Sequence, residues 1–527
     1  KRDCFKNKKE YWCNLMNRTE NSAQNLAFGF INRIVSLFFV FISRKLFIYF
    51  IGIEYLGINS LFSNVLSILS MADLGFGIAM SYSFYKPLAE NDTRKISALI
   101  GFYKHIYNII AISVFVLGMA LLPFLQYIVN LNGDIPYLKL YYVVFLLQTV
   151  VSYLFVYKTT IIVADQKNYI INKISTLIEF VKTFAQIAII VLTKNYFLYI
   201  LAQLIGTFLN NYIASREADK LYPYINEKDE LKDEEKKDVF SNMKAIFIYK
   251  ISGTLMNSID SICISTICGT IVLGYYVNYL TITNQIEAII AIVFSSFTAS
   301  IGNLITNKNK ENNLEVFNSL QLLSGYFSAI TFLGFIFLSQ EFIGFWLGDE
   351  YLLDNFTIIV IAFNLYLGMS FRPLWSYREA TGLYVKTKYV MLIAAGLNII
   401  LSIGLGMVMG VAGVVLASIL CRLFTYFWYE PVILYKDYFG VSPVDFFKKY
   451  AINLISVALL CAEIFIIFNI ISWKEGTIFW CIKGIILVTV VSINYYLVFR
   501  NTSSFKYVKS KAENIVRRKL YKRKTTH

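Results

Sequence analysis

Histidine is almost missing from this 527-residue chain, which has only His105 and His527. Catalysis or metal binding built on imidazole therefore has almost nothing to work with. Charge is scarce too. Asp, Glu, Lys and Arg make up 16% of the residues, against about 25% in a soluble globular protein. The seven cysteines, Cys4, Cys13, Cys263, Cys268, Cys421, Cys461 and Cys481, are scattered, and no pair has metal-site spacing or offers a disulfide framework. There is no Gly-x-x-x-x-Gly-Lys-Ser/Thr sequence, so ATP is not bound that way, and Gly404-Leu-Gly406-Met-Val-Met-Gly410 has the wrong spacing for a dinucleotide loop. Long polar loops on one side are also lacking. The longest there, around Tyr127–Tyr137, offers Asp134 alone. That disfavours a membrane glycosyltransferase or polymerase, and the chain is read as a non-enzyme.

What the chain has is apolar length. It is 57% hydrophobic and 17% aromatic, and runs of about 18 or more apolar residues, enough to cross a hydrocarbon core, recur throughout. The expected fold class is all-α: a polytopic membrane protein of about 14 transmembrane helices. The spans are placed near 26–50, 57–82, 97–126, 137–160, 169–193, 196–216, 244–268, 272–305, 314–340, 352–372, 385–409, 411–435, 449–471 and 477–499. The eighth is long enough to include a turn outside the membrane. The net charge of +15 is not read as a nucleic-acid signal, because the basic residues sit in the short connections, where topology accounts for them.

Their distribution orients the chain. Lys86, Arg94, Lys95, Lys158, Lys167, Arg372, Arg378, Lys386, Lys436 and the tail 500–527 fall on one side, and only Lys194 and Lys474 on the other. The positive side is cytoplasmic by the positive-inside rule, which places both termini inside. Residues 217–243 are rich in alternating charge and read as a solvated helix or flexible linker between two lobes. The domain reading is a cytoplasmic segment 1–25, an N-lobe 26–216, the linker 217–243, a C-lobe 244–435, an extra helical pair 436–499 and a basic tail 500–527. Gly52-x-x-x-x-Gly57 recurs as Gly269-x-x-x-x-Gly274, at an offset of 217 residues. Each follows an outward span and precedes an inward one. Six spans per half make the halves parallel repeats about an axis along the membrane normal.

Charges inside spans are costly and normally face protein or water. Arg33 and Arg44 lie eleven residues apart in the first span, which puts them about 20° apart in azimuth and about 16 Å apart along the axis. They form either a ladder for an anionic head group or two side chains snorkelling to opposite interfaces. In the seventh span Lys250, Thr254, Asn257 and Ser261 share a face with Asp260 beside them. This stripe reads as substrate contact or as interhelical hydrogen bonding. Arg422 lies near the middle of the twelfth span, where snorkelling is hard, with no acid three or four residues away. Lys182 has Glu179 at ion-pair spacing and reads as a structural pair. Ser60, Ser63, Ser67 and Ser70 form a stripe explained by close packing as well as by sugar contact. Lys483 is near enough to its outer end to snorkel.

Residues 44–75 combine an Arg late in the first helix, Gly52-x-x-x-x-Gly57 read as a tight turn, and Ala72-Asp73-Leu74-Gly75 closing the second helix. In that order these parts resemble the first helical hairpin of the Wzx-type flippases of lipid-linked oligosaccharides, within the superfamily that includes the multidrug exporters. The likeness extends more thinly over 17–500, and Met16-Asn17-Arg18 reads like a start in that family, so residues 1–15 are set aside. The resemblance implies two six-helix lobes in a bacterial cytoplasmic membrane. It implies a substrate of oligosaccharide repeat units on undecaprenyl pyrophosphate, carried outward for capsule, exopolysaccharide or O-antigen assembly by alternating access. Arg33, Arg44, Lys250, Asn257, Asp260 and Arg422 would be the substrate-binding residues. No cofactor is expected beyond coupling to a proton or sodium gradient. The expected partners are the lipid-linked oligosaccharide, membrane lipids and the polymerase machinery, with no nucleic acid, and the chain is expected to be a monomer. Two relatives stay open as alternatives: an ion-coupled multidrug antiporter, which should carry uncompensated acids in its spans, and a lipid II flippase.

Overall fold

The computed structural model describes residues 37–70, 76–131, 135–227, 229–306, 310–471, 473–474, 476–511 and 513. Arg33, the Ala72-Asp73-Leu74-Gly75 motif apart from its flanks, and Asp134 lie outside the described residues. The fold is all-α and polytopic, with no β-strand among the described residues. Nine helical segments are long and apolar enough to cross a membrane among the described residues. One of them, Val385–Phe439, holds two predicted spans.

The chain divides into two compact units, Lys1–Val277 and Asn278–His527. The first contains α1 (37–50), α2 (Ile53–Leu69), α3 (Phe76–Glu90), α4 (Thr93–Leu121), α5 (Leu125–Ile128), α6 (Leu138–Ala164), α7 (Asn168–Thr193), α8 (Tyr196–Leu221), α9 (Asp233–Cys268) and the start of α10 (Thr270–Thr306). Its core forms where α6 packs between α4 and α8. Phe62 meets Tyr142 and Phe145 edge-on at 5.3 and 5.7 Å. The Tyr142 hydroxyl donates to the Gly118 carbonyl at 3.1 Å, which satisfies the phenol inside the bundle.

The glycine motif is not a six-residue turn. Only Gly52 turns the chain, with φ 108° and ψ 159°, a left-handed conformation that a Cβ disfavours. Ile53 already begins α2, and Gly57 lies inside that helix. Gly269 adopts the matching conformation, φ 95° and ψ 162°, before α10. The inner glycines serve close approach instead. A Cβ on Gly57 would strike the Thr270 carbonyl, and one on Gly274 would lie 2.6 Å from the Ile53 carbonyl oxygen. Thr270 and Gly274 are the positions that match Ile53 and Gly57 at the 217-residue offset. The contact is reciprocal, each motif's backbone filling the space beside the other's inner glycine. Nearby, the Thr270 hydroxyl donates to Glu54 Oε1 at 3.2 Å, and the Thr270 N–H donates to the Asn130 carbonyl at 3.0 Å.

The charged segment after α8 is ordered against the first unit. Ile225 and Leu231 are buried. Ser97 donates to the Glu227 carbonyl at 2.6 Å, Lys95 pairs with Glu235 at 2.8 Å, and just before the segment, in the last turn of α8, Asp219 pairs with Lys158 at 2.7 Å. Burial first, and then the hydrogen bond it donates to Asp165 at 2.6 Å, push the Tyr222 phenol well above its ordinary pKa. Some of these charges find partners on α4 and α6, far away in sequence, while others such as Glu227 and Glu230 stay exposed.

The second unit comprises the rest of α10, α11 (Lys310–Trp346), α12 (Asn355–Ser370), α13 (Arg372–Ala380), α14 (Tyr384–Phe424), α15 (Tyr426–Ile433), α16 (Val444–Ile470) and α17 (Thr477–Phe499). α10 runs without a break from Thr270 to Thr306, so the turn allowed for in the eighth span does not occur. Gly410, at φ 60° and ψ −135°, breaks α14 between its two predicted spans. α11 packs on α12 and α17. Ser324 donates to the Met369 carbonyl at 2.6 Å, and Tyr495 to the Gly325 carbonyl at 2.8 Å. Phe317 anchors an aromatic core with Tyr377, Tyr435 and Phe439.

Candidate functional site

A cavity of about 380 Å³ opens within the first unit among α1, α2, α7 and α8. Its placement follows from aromatic packing on α1. Phe39 meets Phe180 and Phe184 of α7 edge-on at 5.1 and 5.3 Å. Two turns on, buried Phe47 meets Tyr196 and Tyr199 of α8 at 6.1 and 5.0 Å. These two clamps hold the intervening turns of α1 over the gap, and Ser43 and Arg44 line it.

Arg44 is the cavity's central cation. Its Nη1 is buried and has no hydrogen-bond partner among the described residues. A buried guanidinium nitrogen left unpaired is costly. The surrounding groups are polar and mostly neutral: Asn59, Ser60 and Ser63 from α2, Thr176, Thr183 and Gln186 from α7, and Tyr199 and Gln203 from α8. The Tyr196 hydroxyl donates to Asn59 Oδ1 at 2.7 Å, which leaves the Asn59 amide N–H groups for the cavity. Gln186 Nε2 donates to the Tyr199 carbonyl at 3.3 Å. Ser63 and Ser67 donate to carbonyls of their own helix, Asn59 and Ser63.

Two more charges sit on the same wall. Lys182 Nζ lies 2.5 Å from Glu179 Oε2, the pair expected from their spacing. The Lys182 stem is laid against Gly206, where an added Cβ would come within 2.7 Å of Lys182 Cδ. Arg44 and Lys182 against Glu179 leave one net positive charge on the wall. Chemically the cavity is a donor-rich, aromatic-walled pocket with a cationic anchor, suited to a polar anion.

The other expected site residues lie elsewhere. Lys250, Asn257 and Asp260 are on α9 of the same unit, and none lines the cavity. Asn257 is exposed while Asp260 and Ser261 are buried, so the polar stripe does not meet one uniform environment. Arg422 is in the second unit, where its Nη1 donates to the Asn364 carbonyl at 3.4 Å. Across Gly368, Arg422 Nη1 and Glu287 Oε1 are 3.6 and 4.0 Å from the position of a Cβ. Glu287 pairs with Arg372 at 3.1 Å. Lys483 does not snorkel: it is buried, pairs with Glu341 and sits 5.3 Å from the Trp473 ring centre.

Sequence reasoning missed Gln186, Tyr199 and Gln203. The two mid-span glutamines carried a usable signal, because an amide in hydrocarbon needs a partner. It also missed the buried ion pair between Arg378 of α13 and Glu430 of α15, which has no sequence signal.

No family model and no curated protein matches the sequence. Solved structures do match by shape. A structure of the lipid II flippase MurJ in an inward closed conformation aligns over 92% of this chain and 99% of its own, with 14% identity and a TM-score of 0.63. The chain shares its fold with that flippase. An inward-facing multidrug resistance MATE family transporter of the MOP superfamily aligns over 77% of this chain and 93% of its own, with 12% identity and a TM-score of 0.53. A mutant of the Vibrio cholerae MATE transporter VcmN aligns over 79% and 98%, with 12% identity and a TM-score of 0.53. At these identities the likeness is one of fold.

Proposed function

We propose that the chain is a flippase that carries oligosaccharide units on undecaprenyl pyrophosphate from the inner to the outer leaflet, for assembly of a cell-surface polysaccharide. The observation that carries this reading is the Nη1 of Arg44, unpartnered among the described residues and buried in a polar, aromatic-walled cavity inside a membrane-spanning bundle. A guanidinium fork suits a pyrophosphate, because it can hold two oxygens at once. Amides, hydroxyls and aromatic faces around it suit sugar. The lipid tail would stay in the bilayer while the cavity is exposed alternately to the two sides. Arg422 is proposed as a second cationic contact in the other unit.

The lipid II flippase alternative draws on a specific comparison: the MurJ structure aligns over 92% of this chain, and the two MATE structures over 77% and 79%. Both flippase readings place an anionic lipid-linked saccharide at Arg44. The multidrug antiporter reading does not account for a cavity whose net charge is positive.

The test is complementation. The gene should restore surface polymer in a strain deleted for its own oligosaccharide-lipid flippase. Growth rescue of a lipid II flippase depletion strain, without polymer rescue, would move the assignment to lipid II.

A further inference from the structure

Two carboxamides line the same cavity as Arg44, Asn59 on α2 and Gln186 on α7, and one turn of α8 fixes both. The Tyr196 hydroxyl donates to Asn59 Oδ1 at 2.7 Å. Tyr196 is 4% exposed, so its O–H needs an acceptor. Turning the Asn59 amide over would offer the phenol oxygen an N–H and leave the O–H unpaired. The bond therefore sets the amide with its oxygen on Tyr196 and its N–H groups towards the cavity. One turn on, the Tyr199 carbonyl accepts from Gln186 Nε2 at 3.3 Å. A carbonyl can only accept, so this amide is set the other way, with its oxygen left for the cavity. The rings of Tyr196 and Tyr199 are stacked, 6.4 Å apart and 16° from parallel, which keeps the two anchors in register. Tyr196 also packs against Tyr55 and Tyr141, at 4.6 and 4.8 Å.

We infer that Asn59 and Gln186 together read an acetamido group, so that the sugar next to the pyrophosphate is an N-acetylated amino sugar. The inference rests on the flippase reading above. An acetamido group carries a carbonyl acceptor on one edge and an N–H donor on the opposite edge. It answers a donor on one wall and an acceptor on another at the same time. A sugar hydroxyl gives and takes its hydrogen bonds at a single atom and meets one wall only. The acetamido methyl needs an apolar neighbour, and Phe145 and Phe180 line the same cavity. In a pyrophosphate-linked 2-acetamido sugar the amide stands on the carbon next to the anomeric one. A group read by Asn59 and Gln186 therefore lies close to the phosphate that Arg44 holds. Both amides are uncharged, so they add selectivity without altering the charge of the site. Tyr196 is a positioning residue: without its hydroxyl the Asn59 amide is free to turn over, and the donor facing the cavity is no longer fixed.

The test uses the full-length protein in nanodiscs and two probes, geranyl pyrophosphoryl N-acetylglucosamine and geranyl pyrophosphoryl glucose, which differ only at the acetamido position. Calorimetric titration gives the ratio of their affinities. Wild type should bind the acetamido probe about tenfold or more tightly than the glucose probe, the loss expected when two hydrogen bonds go unmade. Asn59→Ala and Gln186→Met should each lower that ratio severalfold while the glucose probe still binds. Tyr196→Phe should lower it too without weakening the glucose probe, an outcome that a general loss of packing would not give. Equal wild-type affinity for the two probes, or a ratio unchanged in both Asn59→Ala and Gln186→Met, overturns the acetamido contact and leaves the flippase reading standing. A ratio unchanged in Tyr196→Phe overturns its positioning role. A wild type that binds neither probe overturns both the contact and the flippase reading.

Discussion

Gly57 and Gly274 stand at equivalent positions of two matching motifs, and each leaves room for the other motif's backbone. The Thr270 carbonyl fills the space of a Cβ on Gly57, and the Ile53 carbonyl lies 2.6 Å from that of Gly274. Gly52 and Gly269 share the left-handed turn before each helix. The two glycine pairs therefore have different duties. Gly52 has nothing within 4 Å of a Cβ, so it is there for its backbone conformation alone. Gly52→Ala should cost about 1–3 kcal/mol through backbone strain alone, because φ 108° with ψ 159° is a region essentially confined to glycine. Gly57→Ala should cost roughly 1–3 kcal/mol, the range for forcing an atom into packed space. Thermal unfolding of the purified variants in detergent should show a Tm loss at Gly52 that is about the same for alanine and leucine, since the space there is open, and a loss at Gly57 that grows from alanine to leucine. A loss at Gly52 that also grew with side-chain size would contradict the division.

Arg378 and Glu430 form an ion pair with side chains 5% and 2% exposed, joining α13 to α15. Removing one partner leaves an uncompensated charge in the interior, which typically costs about 3–5 kcal/mol. Arg378→Ala should therefore sharply lower the yield and Tm of the purified protein. Replacing both with apolar residues, Arg378→Met with Glu430→Leu, should recover much of the loss. A single variant as stable as wild type would show that the pair is not satisfied as described.

The charged segment gives a topology test. Glu230 is exposed on it, and its neighbours pair with α4. By the distribution of Lys and Arg it faces the cytoplasm. A single cysteine at Glu230→Cys should resist a membrane-impermeant maleimide in whole cells and react after lysis. Labelling of intact cells would reverse the orientation.

Much of this architecture was legible because its signals are local. Apolar run length placed the helices, the three-residue spacing revealed Glu179–Lys182, and Gly410 marked the break in α14. Arg378–Glu430, Lys483–Glu341 and Lys95–Glu235 were not legible. Their partners are 52, 142 and 140 residues apart, so only packing brings them together. The same limit hid the cavity. Arg44 was flagged as a charge in a span, but Gln186, Tyr199 and Gln203 become its neighbours only when α1 docks on α7 and α8. The Gly57 position was visible as a motif and was read as part of a turn, because sequence does not distinguish a glycine needed for φ from one needed for space.

Arg422 lies beside the Asn364 carbonyl and near the Arg372–Glu287 pair. If it is a substrate contact, Arg422→Ala should abolish polymer rescue while the protein still reaches the membrane, and Arg422→Lys should retain part of it, since lysine keeps the charge without the fork. Surface polymer and membrane-fraction immunoblots read the two quantities. Full rescue by Arg422→Ala at native expression would remove it from the site.

The central claim is that Arg44 anchors the pyrophosphate of a lipid-linked oligosaccharide. Its most direct measurement is surface polymer in a flippase-deleted strain carrying wild type, Arg44→Lys or Arg44→Ala at matched membrane levels. The account predicts full polymer from wild type, a reduced amount from Arg44→Lys and none from Arg44→Ala. Wild-type polymer from Arg44→Ala would contradict it.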